Sequence, residues 1–202
     1  TLEKRALSNL TPPTSMLGIF YGYAVTNKKL GLPYMGSKRN LSGEIVDHIL
    51  TAHPNTKYVY DLFGGGGAIS FEFLQRQQIE RVIYNELNTG VVELLRKIQK
   101  DGITPEFYQW VSRDTFNAHK NDDDWFGGLC KVVWSFGNNQ NGYLYGAEIE
   151  NIKRLAHEFI VNNCLDSMRE IGVDIPELIN IEGVQNRRSA FCNHIKKNIS
   201  LL

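Results

Sequence analysis

The sequence has little of what marks several classes of protein. Its three cysteines, Cys130, Cys164 and Cys192, lie far apart and form no CxxC pair and no zinc-ligand spacing. We therefore expect free thiols and no metal site. Lysine plus arginine and aspartate plus glutamate both number 22, so the formal charge is zero. The chain thus lacks the basic surplus common in DNA-binding proteins, and a DNA surface would depend on local clustering of charge.

Long apolar segments are also absent. The longest apolar run, residues 17–25, is too short to cross a bilayer. No basic region followed by an apolar stretch and a cleavage site opens the sequence. We therefore expect no membrane contact and a cytoplasmic location. A Thr-Pro-Pro-Thr breaker cluster at residues 11–14 predicts that residues 1–30 form a peripheral N-terminal extension.

Regular structure is predicted from about Leu41, where Ser42 is a candidate cap for a helix. Runs rich in β-formers at 57–63 and 81–85 predict two short strands, the first followed by a helix over about 68–78. The next helix has an apolar stripe of Val91, Val92, Leu94, Leu95 and Ile98. This strand–helix–strand–helix order predicts a Rossmann-like α/β fold with a doubly wound parallel sheet.

From Thr104 onward the pattern is mainly helical, except for a polar loop over 137–146. One long helix is expected from Glu148 to about Met168. Apolar periodicity predicts burial of Trp110, Trp125, Phe126, Leu129, Val132, Val133 and Trp134. The sequence therefore predicts an extension (1–30), a ligand-binding α/β region (31–103) and a mainly helical region (104–202).

The central motif is YDLFGGGGAISF, residues 60–71, in which four glycines follow the first strand. Glycines at the carboxyl end of a parallel strand let the backbone turn tightly and let a ligand approach the chain. No Gly-Lys-Ser/Thr follows, and the spacing is not GxGxxG, so neither a P-loop nor a dinucleotide fingerprint is indicated. A turn that merely connects strand and helix is the structural alternative.

Glu86 directly follows the second strand in VIYNELN, residues 82–88. A carboxylate there can accept two hydrogen bonds from a ribose diol. An acid that caps the next helix is the alternative. Its position about 20 residues after the glycine loop favours the ribose role.

Together these motifs resemble the DNA adenine methylase (Dam) family of AdoMet-dependent methyltransferases. LPYMGSKRNLSGEI (32–45) is similar to the leading motif of that family, and the glycine and Glu86 motifs are similar to its next two. A fourth block, VVWSFGNNQNGYLYG (132–146), is similar to the segment before the family's DNA-reading region. The resemblance implies methyl transfer from S-adenosyl-L-methionine to the exocyclic amine of adenine in double-stranded DNA, in a bacterial or phage restriction–modification setting.

By motif position, the resemblance implies a set of cofactor-binding residues: Tyr34, Lys38, Asp61, Phe63, Gly64, Gly65, Gly66 and Glu86. Tyr34 would pack on the cofactor, and Glu86 would hold its ribose. Candidate DNA contacts are Lys38, Arg39, Asn139, Asn141, Tyr143 and Tyr145, which offer cationic, amide and aromatic groups. Leu62 stands where the family usually has proline, and Glu86 where aspartate is commoner.

The family's catalytic tetrapeptide, Asp-Pro-Pro-Tyr or a variant, is not found in the sequence. The nearest match is Asp174-Ile175-Pro176-Glu177, in which Glu177 replaces the aromatic residue. Asp174 is therefore only a weak catalytic candidate, and a proline-started helix explains the same residues. We expect the catalytic strand either to lie beyond Leu202 or to be lost.

Two other functions stay open on the sequence alone. One is an AdoMet-fold protein without catalysis that binds DNA or a partner, which the missing tetrapeptide favours. The other is a nucleotide-dependent metabolic enzyme that uses the same glycine loop. A longer reading frame that contains the tetrapeptide would exclude the first, and a DNA-independent activity would support the second.

Overall fold

The structure, a computed structural model, describes residues 30–170, 172 and 181–199. These residues divide into two compact units, one ending at Leu144 and one beginning at Tyr145. The predicted extension, except residue 30, and the Asp174–Glu177 tetrapeptide lie outside the described residues. The functional division into regions 31–103 and 104–202 stays a prediction.

The first unit opens with the predicted alternation of strands and helices. It contains α1 (Ser42–Ala52), β1 (Tyr58–Asp61), α2 (Ala68–Phe73), β2 (Arg81–Tyr84) and α3 (Thr89–Asp101). The strands pair in parallel, with Tyr58 opposite Arg81 and Asp61 opposite Tyr84. The predicted order and parallel pairing are confirmed. Over the described ranges the sheet has these two strands, so the full doubly wound sheet is not established.

Two predicted boundaries were wrong in detail. Leu41, not Ser42, precedes α1 at the N-cap, and no side chain caps the helix. Ser42 is instead buried, with its hydroxyl 3.4 Å from a carboxylate oxygen of Glu72. α2 ends at Phe73 rather than near residue 78, because the amides of Gln75 and Arg76 bond back three residues and tighten the chain into turns.

Apolar periodicity predicted the buried face of α3 correctly. The whole predicted stripe of α3 is buried. Val46 of α1, Phe73 of α2 and Val82 of β2 form a second buried cluster, on which Ile49 and Leu50 pack. This cluster fixes α1 and α2 against the two strands, so the loops that follow β1 and β2 extend from a packed base.

The remainder of the first unit is helical. It contains a 3-10 helix (Pro105–Tyr108), α4 (Arg113–His119), α5 (Trp125–Val133) and a second 3-10 helix (Phe136–Asn138). α5 packs on α3 at two glycines: a Cβ added at Gly128 would stand 2.0 Å from the carbonyl oxygen of Gly90. Trp134 is buried as predicted, and its ring stacks with Tyr143. Leu129 and Val132 are also buried as predicted, but the predicted burial of Trp110, Trp125, Phe126 and Val133 was wrong, since these four are half-buried.

The second unit is built from α6 (Ala147–Asn162), α7 (Leu165–Glu170) and α8 (Val184–Ile199). The single helix expected over 148–168 is interrupted at Asn163, which adopts a left-handed conformation with φ of 57°. Leu155, Phe159 and Met168 form the buried core. The guanidinium of Arg187 donates to the carbonyls of Ile160, Val161 and Ile181. Arg187 therefore bonds carbonyls of the last turn of α6, where the helix dipole favours a cation.

The three cysteines are free thiols, as expected. Cys130 is buried, and burial raises the pKa of its thiol to about 12. Within the described ranges, no cluster of histidine, cysteine or acidic side chains is suited to hold a metal ion. Among those residues, no helix has the length and apolar character needed to cross a membrane.

We predict that Gly128→Ala lowers the free energy of unfolding by about 1–3 kcal/mol, the usual range for overpacking. The added methyl group would force α5 away from the Gly90 carbonyl. Urea denaturation measures the change.

Gly43→Ala is the matched control, because its added Cβ meets nothing closer than 3.9 Å and Gly43 lies within α1. It should raise the free energy of unfolding by about 0.5–1 kcal/mol. Equal effects of the two substitutions would contradict the close α3–α5 packing.

Candidate functional site

The candidate site lies where β1 and β2 end. The two strands are parallel, so the loops after Asp61 and Tyr84 leave the sheet at the same edge. Backbone pairing continues beyond the strands: the Asn85 amide donates to the Asp61 carbonyl at 2.9 Å, and the Gly64 amide to the Asn85 carbonyl at 2.9 Å. The glycine loop is thus fixed to the turn that carries Glu86.

Glycine is required in this loop because the chain itself approaches closely. A Cβ at Gly64 would stand 2.1 Å from the Tyr84 ring, and one at Gly66 would stand 2.4 Å from the Leu32 carbonyl oxygen. Gly67 has φ of 81°, which favours glycine. The segment before α1 lies on the loop, where the Leu32 amide donates to Gly66 at 2.7 Å. The glycines therefore serve internal packing as well as any ligand.

Tyr84 of β2 packs against the glycine loop. Its buried side chain donates a 2.5 Å hydrogen bond from the hydroxyl to the Gly65 carbonyl. Burial raises the pKa of this phenol well above its usual range, and the nearby charges of Glu86 and Asp61 raise it further. The hydroxyl therefore stays protonated and holds the Gly65 carbonyl in place.

Glu86 bonds the amide of Gly65, the residue whose carbonyl accepts from Tyr84. One carboxylate oxygen accepts from the Gly65 amide at 2.8 Å, and the other accepts from the Asn88 amide at 2.9 Å. Glu86 thus joins the glycine loop to the turn before α3. A carboxylate has about four acceptor positions, so Glu86 retains acceptor capacity for a ligand.

Tyr34 lies beside Gly65, since its ring carbons are 3.4 Å from the position of a Gly65 Cβ. The side chains of Glu86 and Gln140 are close enough to its hydroxyl to affect its pKa. Partial burial raises the pKa of Tyr34. The Gln140 side chain lowers this pKa, and the charge of Glu86 raises it. The structure thus brings Tyr34, Gly65 and Glu86 together.

The other predicted cofactor residues surround this centre. Asp61 ends β1 and accepts a 2.6 Å hydrogen bond from the buried Ser70 hydroxyl. Phe63 follows β1 and is 92% exposed. Lys38 is exposed, and its ammonium group donates to the Gly36 carbonyl at 2.9 Å. Lys38 does not bond the glycine loop.

The predicted DNA contacts are in different settings. Arg39 is half-buried, and burial lowers the pKa of its guanidinium. Asn139 and Asn141 are exposed on the loop after α5. The Asn139 carboxamide accepts from the amides of Asn141 and Gly142, so it shapes the loop. Asn141 accepts from the Lys120 ammonium group at 2.7 Å through its carbonyl.

Tyr143 and Tyr145 are less exposed than stacking on a DNA base requires. Tyr143 is 8% exposed, and its hydroxyl donates to the Val111 carbonyl at 2.7 Å. Its ring packs on Phe116 and Trp134, so a base could stack on it only after this cluster opened. Tyr145 is half-buried and belongs to the second unit. The DNA roles of both residues stay predictions.

Sequence reasoning missed four members of the site: Ser70, Tyr84, Asn88 and Gln140. The alternation of Val82 and Tyr84 along β2 was a usable signal, because both side chains are buried on one face. Asn88 gave a second signal as the N-cap of α3. Nothing local marks Gln140, whose side chain reaches Asn88 from 52 positions along the chain.

Comparison with known proteins identifies one family. A family model described as D12 class N6 adenine-specific DNA methyltransferase matches residues 34–168, which is more than half of the chain. The match begins at Tyr34 and includes the glycine loop, Glu86 and the loop after α5. Searches of curated proteins and of solved structures gave no match.

We predict that Tyr84→Phe lowers the free energy of unfolding by about 1–3 kcal/mol near pH 7, because the Gly65 carbonyl loses its donor. A tyrosine in the unfolded chain ionises near pH 10, whereas the folded chain holds Tyr84 protonated to higher pH. Above about pH 10 the wild type therefore loses stability that the variant does not lose. Denaturation at several pH values should show the difference narrowing as pH rises.

Tyr60→Phe is the control, because Tyr60 is exposed on β1. It should change the free energy of unfolding by less than about 0.5 kcal/mol. A gap between wild type and Tyr84→Phe that widens with pH would contradict the role given to Tyr84.

Proposed function

The chain belongs to the D12 class of N6 adenine-specific DNA methyltransferases, and from this premise we propose that its glycine loop, Tyr34 and Glu86 hold S-adenosyl-L-methionine. The observation that carries the proposal is the arrangement at Gly65. A half-buried aromatic ring and a carboxylate with spare acceptor capacity meet there, at the carboxyl edge of a parallel sheet.

The residues at this edge fit such a ligand chemically. The cofactor combines an apolar base, a ribose diol, and a sulfonium and an ammonium that are both cationic. Glu86 offers acceptors to the diol, and the charges of Asp61 and Glu86 are of the sign that stabilises cations. Phe63 after β1 and Leu87 after β2 are exposed apolar side chains at the same edge and could cover the base.

When bound, S-adenosyl-L-methionine supplies an electrophilic methyl group, and the chain's part is to position the reactants. Glu86 would orient the ribose, and the Tyr34 ring would lie beside the ligand. The backbone at Gly65 cannot rotate freely, because its amide and its carbonyl are both bonded. Fixed geometry of this kind lowers the entropic part of the barrier.

The proposed DNA side includes Arg39, Lys38 and the amides of Asn139 and Asn141. Lys38 and Arg39 follow Tyr34 closely in sequence, so cations that can contact phosphate adjoin the proposed cofactor site. Asn139 and Asn141 are on the same loop as Gln140, whose side chain bonds the Asn88 carboxamide two residues after Glu86. Adenine in double-stranded DNA is the proposed methyl acceptor, reached by flipping the base out of the duplex.

We predict that Glu86→Ala weakens binding of S-adenosyl-L-homocysteine by about 1–3 kcal/mol. The substitution removes the ribose acceptor and also leaves the Gly65 amide without its partner. Isothermal titration calorimetry of the folded variant measures the loss.

Glu80→Ala is the matched control. Glu80 precedes β2 at the opposite edge of the sheet, where it pairs with Lys57 at 2.6 Å. Its removal should leave the ligand affinity unchanged. If the wild type failed to bind at millimolar ligand, or if both variants bound equally well, the cofactor site would be misplaced.

We also predict that a polypeptide of these 202 residues, supplied alone, does not methylate DNA. Holding the cofactor does not itself accelerate the reaction; groups that act on the transition state do so. The family's acceptor for the adenine amine and its stacking aromatic are not found together in the sequence. Asp174 offers an acceptor, but Glu177 would place a second charge where a neutral ring is needed.

Tritiated S-adenosyl-L-methionine and adenine-containing duplex DNA should therefore give no incorporation above a control without protein. Incorporation that Asp174→Ala abolishes would make Asp174 the catalytic acid. Incorporation that survives Asp174→Ala would mean that another residue performs its role.

A further inference from the structure

We infer that the ring of Phe136 enters the base stack of double-stranded DNA. This inference rests on the proposed function, because it adds a DNA-contacting residue to a protein whose proposed methyl acceptor is adenine in DNA. Phe136 lies in the loop after α5, which we call the amide loop (residues 135–143). The residues predicted to stack on bases, Tyr143 and Tyr145, are buried and half-buried respectively.

Phe136 is the exposed one of the two aromatic residues in the amide loop. Its exposed fraction is 67%, whereas Tyr143 is 8% exposed and packs on Trp134. The Phe136 ring therefore adds little to the core of the first unit, and its removal should leave the fold intact. Burial of its apolar surface against a base would be favourable, because aromatic rings stack on the faces of bases.

The backbone around Phe136 is held by hydrogen bonds. The Phe136 amide donates to the Gly142 carbonyl at 2.8 Å, and the Phe136 carbonyl accepts from the Asn139 amide at 3.1 Å. The preceding residue, Ser135, pairs with Tyr143 in an antiparallel bridge. The exposed ring thus projects from a fixed backbone, so its binding to a partner loses less conformational entropy than binding by a flexible loop would.

The amide loop also contains strained residues. Asn138 and Gln140 have φ of 56° and 64°, a left-handed conformation that is uncommon outside glycine. The Gln140 amide donates to the buried Ser135 hydroxyl at 3.0 Å, and that hydroxyl donates to the Lys131 carbonyl at 2.5 Å. The Asn138 side chain donates to the Val132 carbonyl at 2.7 Å. Contacts with α5 therefore maintain an unfavourable backbone, as is common where a loop contacts a ligand.

The groups that share the amide loop with Phe136 suit contact with DNA. The side-chain oxygen of the exposed Asn139 accepts from the Asn141 and Gly142 amides, so its NH₂ group, rather than its oxygen, would meet a base edge. Asn141 accepts from the Lys120 ammonium group at 2.7 Å through its carbonyl and at 3.3 Å through its side chain. Lys120 thus places a cation on the loop, where a phosphate would be attracted. An exposed ring, carboxamides and a cation together fit DNA better than they fit an apolar protein surface.

Entry of a ring into a duplex costs the stacking energy between the bases that it separates. Methylation of adenine requires that a base leave the stack, which removes a stacking partner from its neighbours. The Phe136 ring would replace that partner. The cost of insertion is therefore lowest at a position where a base is already missing.

Fluorescence anisotropy with two labelled duplexes of the same mixed sequence tests this inference at one fixed salt concentration. One duplex is intact, and the other lacks a single adenine base at an abasic site. The wild type should bind the abasic duplex about tenfold more tightly, because its ring enters the vacant position at lower cost. Phe136→Ala should bind the two duplexes within about twofold of each other, because no ring is left to insert.

Phe136→Trp gives a direct signal from the same position. An indole that stacks on a base loses fluorescence, whereas the three tryptophans of the wild type, Trp110, Trp125 and Trp134, provide the background. Addition of the abasic duplex should quench the fluorescence of Phe136→Trp more than that of the wild type. A ring kept exposed for contact with another protein or a second copy of this chain would show no such difference.

Tyr60→Ala is the matched control, because Tyr60 of β1 is 69% exposed, about as much as Phe136. It should keep the preference of the wild type for the abasic duplex. Equal binding of both duplexes by the wild type, a preference that survives in Phe136→Ala, or no additional quenching in Phe136→Trp would overturn the inference while leaving DNA as the partner. A wild type that binds neither duplex would overturn the proposed DNA substrate and this inference with it.

Discussion

The peptide groups at Gly65 are the constraint on which the site depends. The Gly65 amide donates to Glu86, and its carbonyl accepts from the buried Tyr84. Both partners come from one strand end and the turn after it, so the glycine loop is positioned by β2 rather than by its own sequence. A side chain at Gly64 or Gly66 would separate the loop from Tyr84 or from Leu32. The run of glycines therefore permits close contact on both sides of the loop.

The elements that sequence predicted well are those decided by local periodicity. The α3 stripe is buried in full, and the two strands pair in parallel, because burial on one face requires that spacing. Ends were predicted less well. Ser42 has the chemistry of a cap, yet contact with Glu72, 30 positions away, places it inside α1. Tertiary packing outweighed local preference there.

The same contrast holds within the site. Gly64 to Gly66 and Glu86 were predictable because the ends of parallel strands meet at one edge of a sheet. Tyr34 was placed by family resemblance. The link from Gln140 to Asn88 crosses 52 positions and depends on a left-handed backbone at Gln140. No pattern of spacing predicts such a contact, because it depends on how α5 and the loop after it pack against the start of α3.

Part of the two-stranded sheet is exposed among the described residues. Parallel strands are usually covered on both faces, yet Tyr58 and Tyr60 of β1 are 58% and 69% exposed. The edge of the sheet where β1 and β2 end carries two carboxylates. Among the described residues, Asp61 bonds the Ser70 hydroxyl, and Glu86 bonds two backbone amides. These partners are neutral, so they orient the carboxylates without cancelling their charge. An edge built in this way favours a ligand that brings positive charge of its own, as a sulfonium bearing an ammonium group does.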